Sequence, residues 1–186
     1  MSDVNIMPLR DRLRLETADA HARVDALFGS CDFADAEGYG RFLLAQAAAW
    51  ETLRPILDSE SLARAEALRS DLETLGLPVP EPLSDVDVPS HASLGHRYVL
   101  EGSRLGSSVL LRELKAKAPN YSVAASAYLT ESAVMEPWKR LFTTLQNDHG
   151  VHANGRDIID DALFVFGLFE KAWRATYSAS TRTSRF

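Results

Sequence analysis

A single cysteine, Cys31, stands in the whole chain, so no intrachain disulfide and no cysteine-based metal cluster can form. Basic residues are in deficit. Twenty Lys and Arg against 26 Asp and Glu leave a formal charge of −6, which gives nucleic acid no footprint. An anionic small molecule would have to be met by local cations. Long apolar runs are missing as well: nothing approaches the ~18 residues of a membrane span, and "MSDVNIMPLRDRLR" puts charges where a signal peptide needs its apolar stretch. With the lone thiol, this makes a cytoplasmic location the expectation. Strand alternation bounded by turn signals appears nowhere, nor does any repeat.

The residues that are present are patterned as helices. Leu9, Leu13, Ala20, Val24 and Leu27 recur at helix spacing over residues 8–28. Asp35 is placed to cap a second helix over about 36–58, with Pro55 kinking or ending it late. Ser61 opens a shorter helix that stops at Gly76. "LPVPEPLSDVDVP" carries four prolines in thirteen residues and must be an extended connector. A helical pattern resumes from Ser90 to about Ala118, and a short helix is expected over 121–132. Another covers "EPWKRLFTTLQ", with Pro137 tolerated in its first turn, and a last apolar helix covers 156–177. The expected fold class is all-α, seven or eight helices in a single domain over 1–178, with a frayed tail at 179–186. No apolar stripe is left over, so a monomer is expected.

Two of these helices carry chemistry. On a helical wheel Arg14, His21 and Phe28 fall seven residues apart along one flank of the apolar stripe, with Thr17 and Asp25 on either side. A cation, an imidazole and an aromatic aligned beside the seam suggest that something other than a helix packs there. A lone histidine at such an edge is more often structural. The second helix is "HRYVLEGSRLGSSVLLREL", whose centre holds Gly102, Ser103, Gly106, Ser107 and Ser108. Each glycine costs about 1 kcal/mol against alanine in a helix interior. At i and i+4 the two glycines share a face and permit a kink and a close backbone approach. Tight helix packing is one reading; a flat ligand lying on the helix backbone is the other.

Taken together, "LRLETADAHARVDALF" and "RYVLEGSRLGSSVL" resemble the heme oxygenase family, especially the bacterial branch found alongside bacteriophytochromes. The similarity continues in order through "YGRFLLAQAAAWETLRPIL", "LRSDLETLGLP", "PWKRLFTTLQ" and "DALFVFGLFEKAW". The resemblance implies an all-helical fold with heme held between a proximal and a distal helix. His21 matches the proximal iron ligand, within a T-x-x-x-H pattern that begins at Thr17. Gly102 and Gly106 match the distal glycines that leave room above the iron. Arg14 and Lys139 match basic positions that meet heme propionates. Asp25 falls where a carboxylate can hold the imidazole's other nitrogen, directly or through water. Tyr98 matches an aromatic at the distal-helix entrance, and Phe166 a pocket wall. Ser103 stands where mammalian-type enzymes carry an aspartate that organises distal water, a neutral and weaker anchor. Ser107 and Ser108 replace residues that are often smaller, which implies a tighter distal pocket.

These assignments agree with elementary chemistry. Heme iron is commonly held by a neutral imidazole whose second nitrogen is oriented by a partner. Two propionates need cations, which an acidic chain must supply locally. The implied reaction is oxygen- and reductant-dependent opening of heme to biliverdin, ferrous iron and carbon monoxide, heme being both substrate and cofactor. Electrons would come from an external donor such as ferredoxin or ascorbate through a redox partner, and a bacteriophytochrome is the biliverdin acceptor the resemblance suggests. Ser103 motivates an alternative, a non-degrading heme carrier or sensor on the same fold. A heme-free protein of the same helical class, such as a thiaminase-like one, is the third reading; the Arg14–His21 flank and the glycine helix argue against it.

Other constellations carry less. His149 and His152 have an i, i+3 spacing but no third ligand near them, so metal binding there is not expected. His91 and His96 precede the glycine helix and suit surface or capping roles. Cys31, beside Asp32 in a connector, reads as an ordinary thiol.

Overall fold

The computed structural model describes residues 7–117, 124–147 and 155–183, with side chains through 146 and 176 in the last two segments. These residues form eight α-helices and one 3-10 turn, with no strand among them: α1 (Leu9–Glu16), α2 (Ala18–Phe28), α3 (Ala36–Leu53), a turn at Arg54–Ile56, α4 (Ser59–Thr74), α5 (Leu94–Lys117), α6 (Ala127–Ser132), α7 (Glu136–Asn147) and α8 (Gly155–Thr183). The all-α expectation holds. None of the helices is long and apolar enough to cross a membrane. His149 and His152 lie outside the described residues.

The first helix of the sequence reading is two helices. Thr17 breaks it at φ −105° and ψ 0°. Its hydroxyl donates to the Leu13 carbonyl at 2.7 Å, the i−4 bond by which a threonine bends a helix. The Thr17 carbonyl still accepts from the His21 N–H at 2.9 Å, so the chain turns without unravelling. The bend also corrects the Arg14–His21–Phe28 line. Phe28 is buried, its ring 5.0 Å from Trp173 and 6.0 Å from Phe42, because α2 runs down into the core at its end.

At the centre lies α3, which buries Tyr39, Phe42, Leu43, Trp50 and Leu53. Asp35 caps it by accepting from the Gly38 N–H at 2.9 Å, and the helix ends before Pro55. Helix α4 begins two residues earlier than Ser61 because the Asp58 carboxylate accepts from the Ser61 N–H at 2.8 Å. It ends at Gly76, whose φ of +67° lets Leu77 N–H reach back to the Leu72 carbonyl at 2.9 Å. Helix α8 packs against α2, α3 and α5 together, and α4 packs against α3 and α6. From α4, Asp71 accepts from the Ala127 and Tyr128 N–H groups at 2.9 and 2.8 Å, holding the start of α6.

How α5 enters the fold is set by two residues. At Gly95 an added Cβ would lie 2.0 Å from the Ile158 carbonyl oxygen, so this glycine lets α5 cross α8 backbone against backbone. One residue on, buried His96 closes a capping box with Ser93. The Ser93 hydroxyl accepts from the Gly95 N–H at 3.1 Å, while His96 Nδ1 accepts from the Ser93 N–H at 3.0 Å. Nδ1 must be unprotonated to accept. Burial pushes the imidazole pKa down, the Asp161 carboxylate 3.9 Å away pulls it back only partly, and His91 pushes it down further. Native His96 therefore stays neutral where the unfolded residue is already charged. Stability is independent of this group well above pH 6.5 and falls as pH drops through and below 6.5. His96→Gln keeps an acceptor at that position, so thermal unfolding between pH 7 and 5 should lose part of its slope in the variant. An unchanged slope would refute the assignment.

Candidate active site

The open side of α5 is apolar, against the usual rule for a helix surface. Leu105 and Val109 are each 51% exposed, and they share that side with Gly102 and Gly106 at i, i+3, i+4 and i+7 spacing. The two glycines are not there for packing. A Cβ on Gly106 would meet nothing within 4 Å, and one on Gly102 would rest at an ordinary 3.5 Å from the Trp138 ring. The helix accepts the propensity cost of glycine at two positions where the fold has room for alanine. Tight packing along α5 is the work of Gly95, whereas Gly102 and Gly106 leave the helix backbone on the open face uncovered by side chains of their own.

Tyr98 continues the same line one turn earlier. Its ring lies 6.1 Å from Trp138 on α7. Burial raises the Tyr98 pKa, while nearby Thr17 and the Arg14 charge lower it, which puts this end of α5 within electrostatic reach of the α1–α2 junction. From that junction α2 carries His21 one turn beyond Thr17. The His21 side chain is 61% exposed, its ring 5.5 Å from buried Phe166 on α8. Asp25 lies 3.4 Å from its Nε2, one turn further along. Both are well exposed, so this pairing orients the ring more than it stabilises the fold. Arg23 beside them ties α2 to α8 through Glu170 at 3.2 Å.

Of the ten residues singled out in the sequence, Arg14, Thr17, His21 and Asp25 lie along α1 and α2, and Tyr98, Gly102 and Gly106 lie along α5, with Tyr98 tied electrostatically to Arg14 and Thr17. Phe166 on α8 packs against the His21 ring. Lys139 stands exposed on α7 next to Trp138, its ammonium 3.6 Å from Glu136 one turn back. Ser103 turns away from the role of a free distal anchor. Its hydroxyl donates to the Leu100 carbonyl at 2.7 Å and accepts from Arg64 at 2.8 Å. Ser107 and Ser108 likewise bond carbonyls of their own helix, Ser103 and Leu105, at 3.1 and 2.8 Å.

Several contributors were not picked out from sequence. Leu105 and Val109 were legible in principle, since they complete the stripe begun by the glycines. Trp138, which backs both Tyr98 and Gly102, had no local signal. Arg104 is buried, pairing with Glu101 at 2.5 Å and donating to the Glu131 and Val134 carbonyls at 3.0 and 3.1 Å, which fastens α5 to the end of α6. Two surface depressions lie elsewhere, of about 520 Å³ along α4 and 330 Å³ beside Cys31. Burial pushes the Cys31 pKa up to about 11, which leaves that thiol unreactive at neutral pH.

An exposed imidazole on α2, an open apolar face with two glycines on α5, and an arginine and a phenol near one end are groups whose chemistry suits a flat apolar ring that carries a metal and acidic side arms. The fold is that of the heme oxygenases. The structure matches the nitric oxide- and carbon monoxide-bound heme oxygenase from Neisseria meningitidis with a TM-score of 0.66 and 22% identity, covering 92% of this chain and 93% of that one. In sequence the chain is 34% identical over 119 residues to the heme oxygenase PigA of Pseudomonas aeruginosa, covering 56% of this chain and 60% of that protein. It is 33% identical over 108 residues to a heme oxygenase of Xanthomonas campestris pv. campestris, covering 57% of this chain and 64% of that protein. The resemblance read from the two helices is therefore borne out by both comparisons. The chain spans 60% and 64% of the length of these curated relatives. No family model matches it.

Proposed function

We propose that this protein is a heme oxygenase, cleaving heme to biliverdin, ferrous iron and carbon monoxide with oxygen and an external reductant. The observation that carries the reading is the open α5 face, whose two glycines the fold does not require, in a chain that also exposes His21 on α2. Bound heme supplies the redox chemistry of its iron and is itself consumed. The chain's own residues place and enclose it. His21 would hold the iron through its imidazole, with Asp25 to orient the ring and Phe166 packed against it. Arg14 and the Tyr98 phenol receive a propionate at the Thr17 junction, and Lys139 receives a second at the α7 edge. Gly102 and Gly106 would let heme lie close to the α5 backbone, and Leu105 and Val109 would shield it from water.

Ferredoxin or ascorbate serves as electron donor in this reading, a redox protein docks transiently, and a bacteriophytochrome is a consumer for the product in the cytoplasm. Titration with hemin tests the binding half directly. The expected result is a saturable one-to-one complex with a sharp histidine-type Soret band. A broad, non-saturating spectrum would overturn it. A sharp band in a complex that survives reductant and air unchanged would mark a carrier instead.

A further inference from the structure

Arg64 is a fully buried arginine on α4, a helix with no other part in the site. Its guanidinium stacks over the Trp50 ring at 4.6 Å. All three of its nitrogens are spent on neutral oxygens: Nε on the Ser132 hydroxyl at 2.9 Å, Nη1 on the Leu100 carbonyl at 2.6 Å, and Nη2 on the Ser103 hydroxyl at 2.8 Å. The nearby buried carboxylate, Glu101, is bonded to Arg104. Burying a guanidinium without a carboxylate of its own is costly, and a fold that only needed to fill the space behind α5 would use an apolar side chain.

The bonds fall on the part of α5 where rigidity matters most. Leu100 and Ser103 flank Gly102, the first of the two site glycines, and Ser103 itself donates to the Leu100 carbonyl at 2.7 Å. That segment is intrinsically soft. Two glycines lower its helical preference, and Ser103, Ser107 and Ser108 all bond carbonyls of their own helix, which tends to bend it. A planar donor held by a ring and a hydroxyl, reaching the helix at a carbonyl and a side-chain oxygen, fixes both height and rotation at one point.

We propose that Arg64 is the positioning residue of the distal helix: acting through the Leu100 carbonyl and Ser103, it sets how closely the Gly102–Gly106 backbone approaches a bound heme. Ser103 then belongs to this anchor and not to a water network on the open face. The inference rests on the heme reading for what lies over α5, but the anchoring itself is a property of the ligand-free chain.

Two variants test it, Arg64→Lys, which keeps the charge but loses the fork, and Ser103→Ala, an exposed position that leaves the core intact. In ligand-free protein, amide hydrogen exchange over residues 101–107 should quicken by about tenfold in both while α3 and α8 keep their protection. In the ferrous complex with carbon monoxide as probe, the single C–O stretching band expected for the wild type should split or broaden. Unchanged exchange over 101–107 overturns the proposal. Faster exchange with an unaltered carbon monoxide band also overturns it, because the anchor would then serve only the fold. Faster exchange in a protein that gives no histidine-type Soret band would uphold the anchor and sink the heme reading.

Discussion

If His21 holds the iron as proposed, His21→Ala should lose the sharp Soret band and all turnover. Removing a residue that merely orients a metal ligand typically weakens metal binding 10- to 100-fold, so loss of the ligand itself should exceed about 100-fold. The fold should not change, because His21 is mostly exposed and buries little in the core. Circular dichroism and thermal unfolding would therefore match the wild type while hemin titration fails to produce a histidine spectrum. Exogenous imidazole should restore part of the band by entering the vacated space. Asp25→Ala is the milder companion, since the carboxylate lies at 3.4 Å and is exposed. A His21→Ala protein with wild-type Soret band and turnover would remove the assignment of the proximal wall.

Gly106→Ala should separate stability from activity in opposite directions. A Cβ at this position meets no atom of the protein within 4 Å, so the variant gains helix propensity at no steric cost. The gain is about 1 kcal/mol, which for a chain of this length raises the unfolding midpoint by roughly 2–4 °C. The methyl group then occupies the space above the open face. Turnover should fall by an order of magnitude or more, because a misplacement near 1 Å at a reacting centre can cost about 100-fold. Gly106→Leu should extend the trend to loss of hemin binding. Calorimetry beside a turnover assay reads both signs. Alanine that leaves turnover intact would mean that nothing approaches α5 there.

Much of this architecture was legible beforehand, for identifiable reasons. Helix periods and caps are local, so Asp35, Pro55, Gly76 and Pro137 marked boundaries to within a few residues. The site histidine and glycines were visible because each violates a local expectation, an imidazole beside an apolar seam and glycines inside a helix. Features set by distant contacts were not visible. Thr17 as a break was missed for a local reason, since its hydroxyl can choose the Leu13 carbonyl without disturbing the apolar period of residues 8–28. Phe28 seemed aligned with His21 because a wheel drawn through the break carries its angular error forward. Arg64 gives no local sign of its place, since its partners lie 36, 39 and 68 residues away. Ser103 invited comparison with an aspartate, and only the guanidinium behind it shows how its hydroxyl is engaged.

The central claim is that this chain opens heme, and the product is the most direct witness. The one-to-one hemin complex should be reduced in air with ascorbate or a ferredoxin system, and the pigment and gas identified. The Soret band should decay into a biliverdin spectrum, with one carbon monoxide released per heme. A Soret band that persists through repeated reduction, with neither pigment nor gas formed, would contradict the claim.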